Sequence, residues 1–442
     1  MKKLIDYILD HGRRLVCPVG GGPAKAFFAG PEIAHLPEQE KKAHWMAFQA
    51  REYGHDFLFS TMLDVDICKS MGLKTFTLDD GSEHVIENQV RNEDDLKNLN
   101  IIHPLDSPVA GKYIHCIRSF KRLSNKPVGG ACFGPFTTAG GILGTQNLCL
   151  ACIKNPEFLH RVLALTSGFI LAMARACEAA GADFFWIAEP SGVLISPGAF
   201  REFSGQYIKN IFQSIGQPGF LHVPGNVGHL IDEFIQTGAQ CLSLDYHIDL
   251  RDMAHTIPSD VSILGNINSL SMLFDPVHKI AEQVNQLNLS IKNFPNFIVG
   301  SGGGLSSDTP EENIKIMFER TRHFPTRSRE AFVQVDSMWH AMANNTFDEI
   351  RDMLCTGKFC REIMCTSFEE ACCFLGRNHV KKKICFSDYD RHMKKLKRLL
   401  DTRNFMGAFN PDHALFLEGN TYMLKNLRDN FFPLIHSLYN QE

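Results

Sequence analysis

Eight short apolar runs, separated by longer amphipathic stretches, occupy the sequence from about residue 15 to residue 324 and leave few folds open to it. They read LVCPV (15–19), DFLFSTM (56–62), VGGACF (128–133), DFFWIA (183–188), GFLHV (219–223), CLSLD (241–245), VSILGN (261–266) and FIVGSG (297–302). Most are continuous rather than alternating and rich in Val, Ile, Leu and Phe, the pattern of parallel strands buried on both faces. Helical patterns lie between them, for example at 155–180, 197–215 and 227–237, with Pro156 opening the first and Gly181 stopping it. Strands that alternate with helices imply right-handed βαβ units. Eight such strands close most simply into an α/β fold of the (β/α)8 TIM-barrel type, preceded by an N-terminal helix. A doubly wound open sheet satisfies the periodicity nearly as well.

The character changes after the last run. A barrel over residues 1–328 and a helical C-terminal extension over 329–442 are the expected domains. The extension holds Cys355, Cys360, Cys365, Cys372, Cys373 and Cys385 at spacings unlike a zinc knuckle, which reads as core packing. It also holds a basic run, KKKICFSDYDRHMKKLKRLLDTR (381–403), either a solvated helix face or a dock for an acidic partner. The formal net charge of -4 gives no field that would draw in nucleic acid. Asp6, Asp10 and His11 interrupt the N-terminus, and no eighteen residues run apolar, so neither a signal peptide nor a membrane span is expected and the chain reads as cytoplasmic. The fourteen cysteines should then be thiols, with the C-x-x-C at Cys149 and Cys152 read as ordinary buried residues.

In a barrel, chemistry sits just past the C-terminal ends of the strands. Those positions hold Asp64 and Asp66, Gly134, Glu189, His222, Asn226, Asp245 and His247, Asn266 and Asn268, and the loop Ser301, Gly302, Gly303 and Gly304. A carboxylate or Asn there also caps the next helix, which explains Asp64, Asn266 or Asn268 without function. Convergence argues for more: Glu189, His222 and Asp245 end three consecutive strands and should share one mouth as catalytic or metal-binding groups. The remaining polar and glycine positions are expected to bind substrate or cofactor. The Ser301–Gly304 loop either lets a ligand approach the backbone closely or is an unoccupied turn.

The stretches FGPFTTAGGILGTQNL, GADFFWIAEPSG, LISPGAFREF, LHVPGN, LSLDYHIDL, ILGNIN and GLSSDTPEENIK together resemble the methylcobamide:coenzyme M methyltransferase branch of the uroporphyrinogen decarboxylase superfamily, in order and spacing, from about residue 14 to residue 324. The resemblance implies the barrel and a zinc held by a His-x-Cys pair and a later Cys, which makes a thiol acceptor nucleophilic. Carried onto this chain, the His is His222, while the two Cys positions hold Pro224 and Gly303. An altered metal site on His222, Glu189 and Cys132 is the remaining zinc expectation. The decarboxylase branch carries an arginine-rich signature after the position of Arg14, where this chain reads CPVGGGPA. The string Asp390-x-His392 resembles the cobalt-ligating motif of corrinoid carriers, but Lys395 stands where that motif has Gly. The resemblance therefore implies a methyltransferase that acts on a small-molecule donor or acceptor with a separate corrinoid carrier protein. Glu189 or His222 would protonate a leaving oxygen or nitrogen. A carboxy-lyase that uses Asp64 or Asp66 on a non-standard substrate is the alternative, and an inactive barrel kept as a binding protein is a third reading.

Overall fold

The computed structural model describes residues 3–322 apart from 21–24, 80, 87–88, 251–255, 259, 292–293 and 295. The expected C-terminal extension, with its cysteines, basic run and Asp390–His392 string, lies outside the described residues. Two compact units divide the chain. The first holds residues 1–250, 260–290 and 296–324; the second holds 251–259, 291–295 and 325–442 and is described only at five positions.

All eight apolar runs of the first unit form strands: β1 (Leu15–Val16), β2 (Leu58–Met62), β5 (Val128–Phe133), β6 (Phe184–Ala188), β7 (Gly219–His222), β8 (Cys241–Ser243), β9 (Ser262–Ile267) and β10 (Phe297–Ser301). They pair in parallel in the order β1-β10-β9-β8-β7-β6-β5-β2, so that from β2 to β10 each strand lies beside the next of these runs in the chain and β1 pairs with the last. A doubly wound sheet would reverse its order partway, so this order excludes it. The two ends of the sheet meet at Asp56, whose N–H donates to the Val16 carbonyl at 3.0 Å while its carboxylate accepts from the Val16 N–H at 2.9 Å. The result is the expected barrel. The sequence reading missed one element, an antiparallel hairpin of β3 (Thr75–Thr77) and β4 (Glu83–Val85) after β2.

Burial alone would raise the Asp56 carboxyl, but Arg13, bidentate at 2.9 and 2.6 Å, and Lys126 at 3.0 Å hold it below its ordinary range. Side chains fill the barrel in layers. At the bottom Phe57, Phe184 and Phe220 meet with centroids 4.5–6.1 Å apart, and Tyr7 of helix Leu4–Asp10 closes over Phe57 at 5.9 Å. Above them Phe59 packs on Trp186 at 5.0 Å, and Trp186 meets His222 at 6.4 Å. Strand alternation sends the other residues outward: a Cβ on Gly130 would lie 2.5 Å from Cys177 Sγ on helix Pro156–Ala179, so Cys132, two residues on, faces the helices too. That helix is the one described helix long and apolar enough to cross a membrane, and half of its most apolar stretch is buried inside the protein. Six described cysteines are buried, whereas Cys149 and Cys152, expected to be buried, are only half-buried.

His55 gives the fold an acid-sensitive point. It is buried against Phe318 with ring centroids 4.7 Å apart, and burial pushes its pKa down to about 3. As pH falls, the unfolded chain takes up this proton near the ordinary value of about 6.5 while the folded chain resists it. Stability contributed by neutral His55 is therefore present above about pH 6.5 and drains away toward about pH 3. Urea midpoints measured across that window should fall for the native chain and fall less steeply for His55→Phe.

Candidate functional site

The mouth is built where β6, β7 and β8 end. His222 is the last residue of β7, and its register partner on β8 is Ser243. Its Nδ1 lies 3.1 Å from the Ser243 carbonyl oxygen, which fixes the proton on Nδ1 and leaves Nε2 without a protein partner among the described residues. Burial lowers its pKa, outweighing the upward pull of the Ser243 carbonyl and of Asp245, so the ring is neutral near pH 7. The Ser243 hydroxyl is buried with no partner among the described residues. Trp186 lies edge-on beneath the imidazole. Neither Ser243 nor Trp186 stood out in the sequence, although the alternation of FFWIA, with Trp186 in step with Phe184, points Trp186 inward.

Asp245 ties two loops together. One carboxylate oxygen accepts the N–H of Gly225 at 2.7 Å and the other lies 3.2 Å from His247 Nδ1. Gly225 has φ +97, a conformation that favours glycine, and this turn brings its N–H to the carboxylate. His247 is half-exposed and stacks on Tyr246 with centroids 4.1 Å apart. Asn266 holds the same loop from below, donating from Nδ2 to the carbonyls of Asp245 at 3.1 Å and Ile248 at 2.8 Å. His222, Asp245 and His247 are thus brought together.

Glu189 is placed differently. Its carboxylate is fully buried and accepts the N–H groups of Phe136 at 3.1 Å and Thr137 at 2.6 Å, with the Ser204 hydroxyl donating at 3.1 Å. It caps the N-terminus of helix Pro135–Leu143 from the neighbouring strand, a position that favours negative charge. Burial raises its pKa, and the bonds from Thr137, Phe136 and Ser204 only partly offset that. Gly134 makes the room: a Cβ there would sit 2.4 Å from Glu189 Oε2.

Several other expected pocket residues have structural partners. Asn268 caps helix Ser269–Phe274, accepting from Leu270 N at 2.9 Å and Ser271 N at 3.3 Å. Ser301 Oγ accepts the Val19 N–H at 2.9 Å, and the Gly302 N–H donates to the Ile267 carbonyl at 2.7 Å. Gly302 also lets the Asp245–Tyr246 backbone approach, since a Cβ would meet Tyr246 N at 2.4 Å. Asp66 accepts the Tyr113 hydroxyl, while Asp64 is exposed and binds the Val65 N–H at 2.8 Å. Asn226 is exposed and Gly303 half-buried at the rim.

Zinc does not fit this donor set, which corrects the site expected on His222, Glu189 and Cys132. Glu189 spends both oxygens on the helix cap, and Cys132 faces the outer helices with its thiol pushed well above the ordinary value by burial. Pro224 and Gly303 offer no side-chain ligand atom. Among the described residues no three His, Cys, Asp or Glu side chains gather as a metal site.

The family profile described as uroporphyrinogen decarboxylase (URO-D) matches residues 31–324. A uroporphyrinogen decarboxylase of Prochlorococcus marinus (strain MIT 9515) is 25% identical over 301 residues, 65% of this chain and 85% of that protein. A methylated-thiol–coenzyme M methyltransferase of Methanosarcina mazei is 28% identical over 193 residues, 43% of this chain and 52% of that protein. A solved methyltransferase from Methanosarcina mazei superposes with a TM-score of 0.62 at 21% identity, covering 71% of this chain and 94% of that one.

Proposed function

The chain belongs to the uroporphyrinogen decarboxylase (URO-D) family, and from that premise we propose that it is a methyltransferase moving a methyl group between a small molecule and a corrinoid carried by a separate protein. The observation that carries this reading is His222, a neutral imidazole at the mouth whose Nε2 lone pair is open to a substrate. Likeness to the Methanosarcina mazei methyltransferase supports it. A neutral ring with Nδ1–H already committed is suited to accepting a proton rather than giving one. His222 then acts as a base toward an acceptor of the thiol, alcohol or amine class. Nε2 takes the acceptor's proton as the acceptor's sulfur, oxygen or nitrogen bonds the methyl carbon. Asp245 stabilises the imidazolium that forms, and Glu189 keeps the neighbouring helix in place. A methylated corrinoid brought by the partner supplies the methyl group.

The rim suits a protein partner. Leu63 follows β2, Leu150 and Ile153 follow β5, Leu194 follows β6 and Phe274 follows β9, and all are exposed apolar side chains on the mouth face. Phe274, 76% exposed, is the most informative to change. Phe274→Asp should raise KM for the methylated carrier protein by roughly tenfold, as loss of about 1.4 kcal/mol of binding would, and leave turnover of free methylcobalamin unchanged. Equal effects on both substrates would remove the rim from the reading.

A decarboxylase reading has in its favour the family profile itself and the decarboxylase relatives, one of which aligns over 65% of the chain. Against it, the segment after Arg14 lacks the arginines, and Arg14 itself precedes β1 and is fully buried. Purified protein incubated with methylcobalamin and panels of thiols, phenols and amines separates the two. Demethylation of the cobalt, followed by its spectrum and abolished in His222→Ala, is the expected result. Release of CO2 from uroporphyrinogen with no change at cobalt would replace methyl transfer by decarboxylation.

A further inference from the structure

We propose that Cys149 and Cys152 form a reversible dithiol–disulfide pair, a redox-modification site on the segment that follows β5. The two residues sit three apart on helix Thr145–Lys154 and so share one face of it. They are the two described cysteines that are not buried. The helix itself is lightly anchored: of its residues only Leu148 is buried, while Leu150 and Ile153 are exposed, the latter at 83%. It begins at Gly144, whose φ of +84 breaks it from helix Pro135–Leu143.

This looseness matters for closure. Side chains three apart on a helix have Cβ atoms about 5–6 Å apart, against about 3.5–4.5 Å in a disulfide. The bond therefore needs an inward movement of about 1–2 Å, which a helix held by one buried leucine permits where a core helix does not. The Cys152 thiol donates to the Leu148 carbonyl at 3.5 Å, and burial pushes its pKa up to about 11 with a further contribution from Cys149. Cys149 is accordingly the attacking sulfur and Cys152 the resolving one.

The oxidant is a low-molecular-weight disulfide such as oxidised glutathione. The Cys149 thiolate bonds to one of its sulfurs and a glutathione thiolate leaves. Cys152 then loses its proton, bonds to Cys149 Sγ and expels the second glutathione. Two protein thiols are oxidised by two electrons, and one disulfide is reduced to two thiols.

The test uses the full chain equilibrated in graded mixtures of reduced and oxidised glutathione, quenched in acid, unfolded, alkylated and digested with trypsin without reduction. Trypsin does not cut the Lys126–Pro127 bond, so residues 123–154 form one tryptic peptide holding Cys132, Cys149 and Cys152. The expected product is this peptide with Cys132 alkylated and two hydrogens missing between Cys149 and Cys152, restored by reductant. In Cys152→Ser the resolving sulfur is gone, and Cys149 should instead hold glutathione. If both cysteines are alkylated or glutathionylated separately at every ratio, or if the bond runs to Cys132, the proposal is overturned.

Discussion

Gly134→Ala should destabilise the barrel by about 3 kcal/mol or more, read as a drop in the urea midpoint with the slope retained. The added Cβ would stand 2.4 Å from Glu189 Oε2 and 2.9 Å from Ile187 Cγ2, closer than real carbon contacts allow. Overpacking of this kind costs about 1–3 kcal/mol by itself. Here the carboxylate has no direction in which to yield without losing bonds, because its oxygens are held by the N–H groups of Phe136 and Thr137 and by the Ser204 hydroxyl. Leaving such buried partners unsatisfied adds about 1–3 kcal/mol. A double-mutant cycle isolates the cause. Glu189→Ala is damaging on its own, but with the carboxylate gone the closest clash at 134 is relieved and only the contact with the Ile187 methyl remains, so the pair should lose clearly less than the sum of the singles. Additive losses, or a Gly134→Ala midpoint indistinguishable from the native one, would mean that Gly134 does not make room for the cap.

The same group shows what the sequence could and could not deliver. All eight strands were legible because burial on both faces leaves an apolar run that no later packing event alters. The positions at the strand ends were legible for the same reason. Their roles were not, because each depends on a partner far along the chain. Glu189 looked like an acid at the mouth, yet its partners, Phe136 and Thr137, lie more than fifty residues upstream and turn it into a cap. Asp245 takes its partner from the loop after β7, and Asp66 takes Tyr113. Asn268 was legible, since an N-cap bonds within its own turn. Cys132 marks the limit of proximity along the sequence: it lies near the end of a strand that opens into the mouth, but it is in step with Gly130, and strand alternation sends its sulfur to the face of the sheet away from the lumen. The hairpin β3–β4 escaped notice because its strands, three residues each, are partly exposed and bury no continuous apolar run.

The largest effect on turnover is expected at His222. His222→Ala should lower kcat/KM for methyl transfer by a factor of about 10²–10⁴, the usual contribution of a positioned proton acceptor. The ring is fixed by one bond to a backbone carbonyl on the next strand, so its removal leaves β7 and β8 paired and the fold intact, with a stability loss limited to the packing of the ring on Trp186. The pH profile distinguishes a base from a merely structural ring. A base must be neutral to act, so activity is lost as pH falls through the folded pKa of His222. Burial sets that value below the ordinary 6.5, with the Ser243 carbonyl and Asp245 pulling it partly back up. The acid limb of the profile should therefore lie below about pH 6.5. Asp245→Asn removes the negative charge that favours the imidazolium. It should move the limb to lower pH and reduce the maximal rate, because the same charge stabilises the protonated ring formed during transfer. A carboxylate acting as the base would instead lose its limb altogether in Asp245→Asn. Turnover by His222→Ala within threefold of native, or an acid limb indifferent to both substitutions, would leave the mouth without its base and return the barrel to the decarboxylase reading.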